Sequence, residues 1–263
     1  MFAAVPAAWL LIFGLAADTA PDARAADRSR DCGAAFAAAS VPGVSSDSLV
    51  SAVRIATADA GGTARVRVEG AYGAVRVAGR PGLGQVRATA TVCTNVARFL
   101  PSLQLAAERR GADVVVTPRR PSGSAVAMAP VGFWMVLTVE VPAELPVEVE
   151  TVGDLDARGV AGLRADARSG QVHVADVAGD VWLRHRAGDV AIEDVGGRVA
   201  LDGDGVGDLT VARVRRDVRV RHQRAGVVRV DRVGGDFVIE RAGHIDVHTN
   251  LVAGRVVVPE ATR

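Results

Sequence analysis

The chain has 263 residues, of which 49% are apolar but only 4% aromatic, so its core must be built from Val, Ala, Leu and Ile. Its formal net charge of +1, with every basic residue an arginine, argues against a general binder of nucleic acid or other polyanions. Twenty-nine glycines and abundant valine indicate many short strands joined by tight turns.

The N-terminus has the pattern of an export signal. The apolar run AAWLLIFGLAA covers 7–17, which is too short to span a bilayer, and Ala23-Arg24-Ala25 supplies a small-x-small cleavage pattern. The segment before the apolar run carries no basic side chain. We expect residues 1–25 to be removed on export to the periplasm or cell surface, leaving a mature chain without a transmembrane segment.

Two cysteines, Cys32 and Cys93, follow the predicted signal. In an oxidising compartment an isolated pair of this kind most often forms one structural disulfide, which we predict here. Free or intermolecular thiols are the alternative, and the spacing excludes a CxxC redox motif.

Residues 26–150 are irregular but β-like. Apolar and polar residues alternate in ARVRV (64–68), QVRATATV (85–92) and WMVLTVEV (134–141), with Gly and Pro between these runs. The segment 100–110 fits either a helical turn or a strand, and 118–130 is predicted to be a mobile surface loop. We expect residues 26–150 to form an N-terminal β region that caps the C-terminal part of the chain.

Residues 151–263 repeat a nine-residue unit that begins with Gly, often as Gly-Asp-Val, and is apolar at its third and fifth positions. Such pairs between glycines predict one short strand per unit with one face buried. Alternate units end in an apolar residue, whereas most of the others end in Arg-Ser or Arg-Ala. Two units, about 18 residues, therefore form one predicted coil.

Charge supports this longer period. The sixth positions of successive coils alternate in sign without exception, in the order Asp166, Arg184, Asp202, Arg221 and Glu240. Alternation is expected where neighbours on adjacent parallel strands lie about 4.8 Å apart. We predict an all-β protein, a parallel β-solenoid with coils of about 18 residues. The tail RVVVP (255–259) is expected to close its last coil.

Metal and catalytic chemistry receive little support. A calcium-binding nonapeptide places its Asp six residues into the unit, whereas here Asp follows Gly directly and is better explained as a turn residue that bonds nearby amides. The run DGDGVGD (202–208) lacks later ligands of an EF-hand. We predict no metal, no cofactor and no catalytic residue, and we expect the histidines at 173, 185, 222, 244 and 248 to lie on the surface.

The segment VEVPAELPVEVETVGDLDARGVAG (139–162), followed by GDV-type units, resembles the bacterial putative-adhesin β-strand-repeat proteins. The resemblance spans about residues 50–258 and is strongest over 139–248. It implies an exported or envelope-associated β-solenoid and supplies no catalytic residues. Arg216, where a Gly is expected, departs from the pattern.

Trp182 lies at an outward position, and its neighbours on adjacent coils are Arg164 and Ala200. An indole beside guanidinium groups can stack on a sugar or meet an anionic glycan. The candidate binding face consists of Trp182, Arg184, Arg219 and Arg221. A solvated face with one incidental aromatic is the alternative.

The expected function is that of a non-enzymatic, adhesin-like or scaffold protein of the cell envelope, which binds an envelope glycan, a lipid headgroup or a protein. A periplasmic regulatory protein that senses envelope stress by protein contact is the second hypothesis. A carbohydrate-active β-helix enzyme is the third.

Overall fold

The structure, a computed structural model, describes residues 49–120, 132–203 and 205–259. The predicted signal, Cys32 and most of the predicted loop at 118–130 lie outside these residues. The strands are β1 (Val50–Asp59), β2 (Arg65–Ala71), β3 (Gly73–Arg80), β4 (Gln85–Thr94), β5 (Gln104–Arg110), β6 (Asp113–Arg119), β7 (Phe133–Pro142), β8 (Pro146–Thr151), β9 (Leu155–Arg158), β10 (Gly162–Ala167), β11 (Val172–Val177), β12 (Val181–His185), β13 (Val190–Val195), β14 (Val199–Asp202), β15 (Gly205–Val206), β16 (Leu209–Val214), β17 (Val218–Val233), β18 (Phe237–Val252) and β19 (Val256–Val257).

The parallel β-solenoid is confirmed, and each coil places one strand on each of two faces. We call face A the ladder β6–β2–β8–β10–β12–β14, continued by the first halves of β17 and β18 and by β19. Face B is the ladder β7–β3–β9–β11–β13–β16, continued by the second halves of β17 and β18. Pairing within both ladders is parallel throughout.

The core between the faces consists of columns of aliphatic side chains. Val172, Val190, Leu209 and Val228 succeed one another in register on face B, and all are 5% exposed or less. Since a single coil is too small to bury its own apolar residues, stability comes from sharing these columns between neighbouring coils.

The coil length changes once within the repeat region. Val181 pairs with Val199, 18 residues later, whereas Val199 pairs with Val218, 19 residues later. The additional residue enters between β14 and β16, where the register shifts at β15. This is the unit whose ending, Asp204-Gly205-Val206, breaks the sequence pattern. Later coils keep the longer spacing, as Val218 pairs with Phe237.

The N-terminal region caps the solenoid but also extends it. The coil formed by β2 and β3 lies between the coil of β6 and β7 and the coil of β8 and β9, so the order in space departs from the order in the chain. At the outer end β4 pairs antiparallel with β7, β1 with β4, and β5 with β6. Segment 100–110 combines both alternatives, because a 3₁₀ helix over Ala97–Ser102 precedes β5.

The C-terminal tail covers part of the opposite end. Val256 and Val257 of β19 pair with Phe237 and Val238 at the start of β18, as the tail was expected to do. Among the described residues, no strand pairs with the outer edge of β18 on face B. The polar residues His248, Thr249 and Asn250 of this last coil are exposed there.

Candidate functional site

The candidate site lies on face A, where strand register places Trp182 between Arg164 and Ala200 on adjacent coils. Arg219 follows Ala200 in the same row. The inward neighbours of Trp182, Val181 and Leu183, are buried, so the indole is held on the outer surface of a rigid strand. Its side chain is only partly exposed.

Arginine side chains cover part of the indole. The guanidinium carbon of Arg164 lies 4.0 Å from the Trp182 ring centroid, and that of Arg184 lies 5.9 Å away. These are cation–π distances, worth about 0.5–1 kcal/mol at an exposed site. Arg164 therefore belongs to the site, although the sequence showed it only as a neighbour. Trp182 has a structural contact as well as a free edge.

The predicted charge ladder runs beside the indole. Arg184 lies between Asp166 at 3.8 Å and Asp202 at 3.7 Å, and Arg221 lies 3.2 Å from Asp202. Asp202 is therefore shared by guanidinium groups on the coils before and after it. The alternating order inferred from the sequence is confirmed over these four residues.

The last expected rung, Glu240, has a different partner. Its nearest guanidinium in the ion-pair geometry is that of Arg219, at 3.7 Å. Arg219 and Arg221 thus both lie on the candidate face, but each is already close to a carboxylate. The face presents alternating donors and acceptors rather than a block of positive charge.

A shallow depression of about 240 Å³ opens over Ala200, beside Trp182. The small Ala200 side chain leaves space between the indole and Arg219, and Arg198 and Arg255 line the rim. Arg198 lies 3.7 Å from Asp217, and Arg255 lies 2.6 Å from Asp236. The depression is too small to enclose a ligand and suits one sugar ring or a side chain laid on the surface.

The Gly-Asp aspartates bond backbone amides, as predicted, but these amides belong to the next coil. One carboxylate oxygen of each accepts a hydrogen bond of 2.8–3.1 Å from an N–H 17–19 residues later. The residues concerned are Asp154, Asp180, Asp189, Asp208, Asp217 and Asp236. This ladder occupies carboxylates that a calcium site would need. Over the three described ranges, no group of three potential metal ligands comes together.

The expectation of surface histidines is wrong for His185, which is 2% exposed. Its Nδ1 lies 2.9 Å from the carbonyl oxygen of Ala167, and its Nε2 lies 3.2 Å from that of Gly188. The corner after β12 buries two carbonyl oxygens that need donors, and the imidazole satisfies them. Hydrophobic periodicity does not reveal this role.

Face B carries a separate ion-pair network. Arg213 contacts Glu193 and Asp194 at 2.5 Å each, and His173 lies 3.2 Å from Glu193. Hydrogen bonds from Arg213 hold the pKa values of both carboxyl groups below their ordinary range. Arg158 lowers the pKa of Asp156 in the same way. These charges are mutually neutralised and orient the side chains of the face.

Other predictions concern groups away from the site. Cys93 is fully buried on β4, and because Cys32 lies outside the described residues the disulfide remains a prediction. Within the described ranges, no helix has the length and apolar content needed to cross a membrane.

No family model matches the chain, and no curated protein matches it. Among solved structures, a putative cell adhesion protein from Clostridium sporogenes ATCC 15579 is similar over 79% of this chain and 98% of its own, with 12% identity and a TM-score of 0.40. At this identity and TM-score the likeness carries no functional argument, so any assignment of function rests on the chain's own geometry.

Proposed function

We propose that this protein is an exported, non-enzymatic β-solenoid with an adhesin-like or scaffold role in the bacterial cell envelope. The observation that carries the proposal is the surface on face A formed by Trp182, Arg164 and the depression over Ala200. A rigid ladder fixes an indole edge, guanidinium groups and carboxylates in a row, and the small neighbour leaves room beside them.

The chemistry of this surface favours an envelope glycan. Aromatic rings stack on the C–H faces of sugars, while alternating carboxylate and guanidinium groups offer acceptors and donors for hydroxyl groups. Since Arg184, Arg219 and Arg221 each lie near a carboxylate, a densely anionic ligand would gain little from them. A sugar whose ring covers Ala200 contacts Trp182 on one side and Arg219 on the other.

Binding to isolated cell-envelope material tests the site. We expect the Trp182→Ala/Arg219→Ala variant to bind at least about tenfold more weakly than the unmodified chain, because it loses both flanks of the depression. Arg87→Ala, on β4 at the far end of face B, is the matched control and should bind normally. Unchanged binding by the double variant, with its circular dichroism intact, would remove this site from the proposal.

Two further measurements separate the ligand and the location. Protease-treated envelope material should bind as well as untreated material if the ligand is a glycan, whereas loss of binding would indicate a protein ligand. Cell fractionation with surface proteolysis should find the mature chain exported. Detection only in the periplasm would contradict surface adhesion and leave the scaffold role.

A further inference from the structure

A column of left-handed residues runs along the corner where each face B strand ends. Its members, in order along the stack, are Gly159, Asp176, Asp194, Arg213, Arg232 and Leu251, with φ values between 53° and 68°. The residue after each of the last five continues the core in register, as Val177 with Val195 and Val214 with Val233. The corner is therefore repeated coil by coil.

Only the first member of the column is glycine. A non-glycine residue in this conformation costs about 1–2 kcal/mol, and Asp tolerates it better than Arg or Leu. Arg213, Arg232 and Leu251 thus occupy a backbone geometry that glycine would adopt without strain. Such outliers point to a use for the side chains themselves.

A groove of about 910 Å³ follows this column across the later coils. Its floor is apolar, formed by Val177, Val195, Val214 and Val233. On its rim Leu251 is 67% exposed, the highest fraction of any exposed large apolar side chain among the described residues. The groove runs across the strands, parallel to the axis along which the coils stack.

The order of side chains in the column is complementary to its own reverse. A two-fold axis through the midpoint between the coils of Asp194 and Arg213 places each of these two residues opposite the other. The same operation places Asp176 opposite Arg232, and the bare Gly159 opposite the protruding Leu251. With coils about 4.8 Å apart, the six positions span about 24 Å.

The outer charges of the column are available for such pairing. Asp176 forms no ion pair with any residue in the described ranges, and Arg232 contacts Asp231, its neighbour in the chain, in an exposed pair. Exposed pairs of this kind contribute little to folding stability. The central Asp194 and Arg213 pair within one chain, so the middle of the column is already neutral. Ala178 and Gly234, beside the outer charges, leave the backbone open to close approach.

We propose that a second copy of this chain docks on the left-handed column, with its stack antiparallel to the first. The interface is isologous, as in most two-fold dimers, and Asp176 of each copy meets Arg232 of the other. Leu251 of each copy covers Gly159 of the other and loses its exposure to water. The column does not include Trp182, so this inference is independent of the proposed function, and a dimer carries two face A sites.

Sedimentation equilibrium of the full chain tests the proposal, with charge reversals as the probe. We expect a reversible dimer, and we expect Asp176→Arg and Arg232→Asp each to weaken it at least about tenfold, because each places like charges together twice. The double variant Asp176→Arg/Arg232→Asp restores both pairs and should dimerise like the unmodified chain. An equimolar mixture of the two single variants should also recover the dimer.

Two controls keep the result interpretable. Arg168→Asp reverses an exposed charge at the opposite corner and should leave the dimer unchanged. Leu251→Asp, an exposed residue outside the core, should weaken the dimer while circular dichroism stays the same. A chain that remains monomeric at every concentration overturns the proposal. A dimer that ignores the single reversals, or a double variant as weak as the singles, overturns it as well.

Discussion

His185 and Gln223 perform the same task at the same corner of different coils. The Gln223 amide donates to the carbonyl oxygens of Gly207 and Ala225 at 2.9 and 3.0 Å, and the His185 ring nitrogens face those of Ala167 and Gly188. Both side chains are 2% exposed. Each therefore supplies donors to buried carbonyl groups that the turn leaves without backbone partners.

The equivalence predicts how the corner responds to substitution. A primary amide carries two N–H groups and a neutral imidazole one, so His185→Gln should preserve the bonds to both carbonyl oxygens. We expect His185→Ala to lower the free energy of unfolding by about 2–4 kcal/mol and His185→Gln by less than half as much. Urea unfolding measures both, with Gln223→Ala as the matched control. Equal losses in the two His185 variants would contradict this role.

Close stacking of the coils explains the glycine at Gly188. Its φ is 119°, and a Cβ there would overlap the carbonyl oxygen of Gly170 on the preceding coil. We expect Gly188→Ala to destabilise the protein by about 2–4 kcal/mol, because either the coil spacing or the turn must change. Gly84→Ala is the control, since nothing lies within 4 Å of a Cβ at Gly84 and its φ is unrestrictive. Thermal unfolding should show a change of at most about 1 kcal/mol for that variant.

The aspartate ladder predicts a difference between removing a carboxylate and replacing it with an amide. Asp189 accepts the N–H of Asp208 at 2.9 Å, and the amide oxygen of Asn can accept the same bond. We expect Asp189→Ala to cost about 1 kcal/mol in unfolding free energy and Asp189→Asn clearly less. Asp246→Ala, an exposed position on β18, should be neutral. An equal effect of Asn and Ala would show that this bond does not hold the coils together.

The same ladder predicts indifference to calcium. One oxygen of each Gly-Asp carboxylate already accepts a backbone hydrogen bond from the next coil. We expect neither millimolar Ca²⁺ nor EDTA to change the melting temperature, because the carboxylates serve the backbone rather than a metal. A rise in melting temperature on adding Ca²⁺ would revive the nonapeptide interpretation.

Repetition made much of the fold predictable from sequence. Opposite charges at matching positions, as in Asp166, Arg184 and Asp202, revealed the two-unit coil because neighbours on parallel strands must be compatible. The insertion of the coil of β2 and β3 was not predictable, because Val66 pairs with Val147, 81 residues away, and no repeat links them. Distant pairing of this kind leaves no local pattern.

The candidate site was predictable only in outline. The row of Trp182 followed from the repeat, but the guanidinium of Arg164 over its ring depends on rotamers that sequence does not specify. His185 was misplaced because a polar residue at a corner position looks the same whether the corner is open or closed. The left-handed column was hidden for a similar reason, since Arg and Leu do not signal that geometry.

Acid should weaken the fold partly through Arg213. This side chain holds the pKa values of Glu193 and Asp194 below their ordinary values of 4.5 and 3.8. A carboxyl group whose pKa is lower when folded binds its proton less readily in the folded state than in the unfolded state. Its contribution to stability is complete above the unfolded pKa and disappears as the pH falls through the folded pKa.

The Arg213→Gln variant should therefore lose stability less steeply than the unmodified chain between about pH 5 and pH 2. Near pH 7 it should be less stable, because the two carboxylates lose their common partner, and in strong acid the two proteins should converge. Urea unfolding at fixed low protein concentration measures the difference, with Arg215→Gln as the control because Arg215 forms no ion pair with the described residues. Parallel pH profiles for Arg213→Gln and the unmodified chain would show that these carboxylates do not depend on Arg213, and the network on face B would then contribute orientation rather than stability.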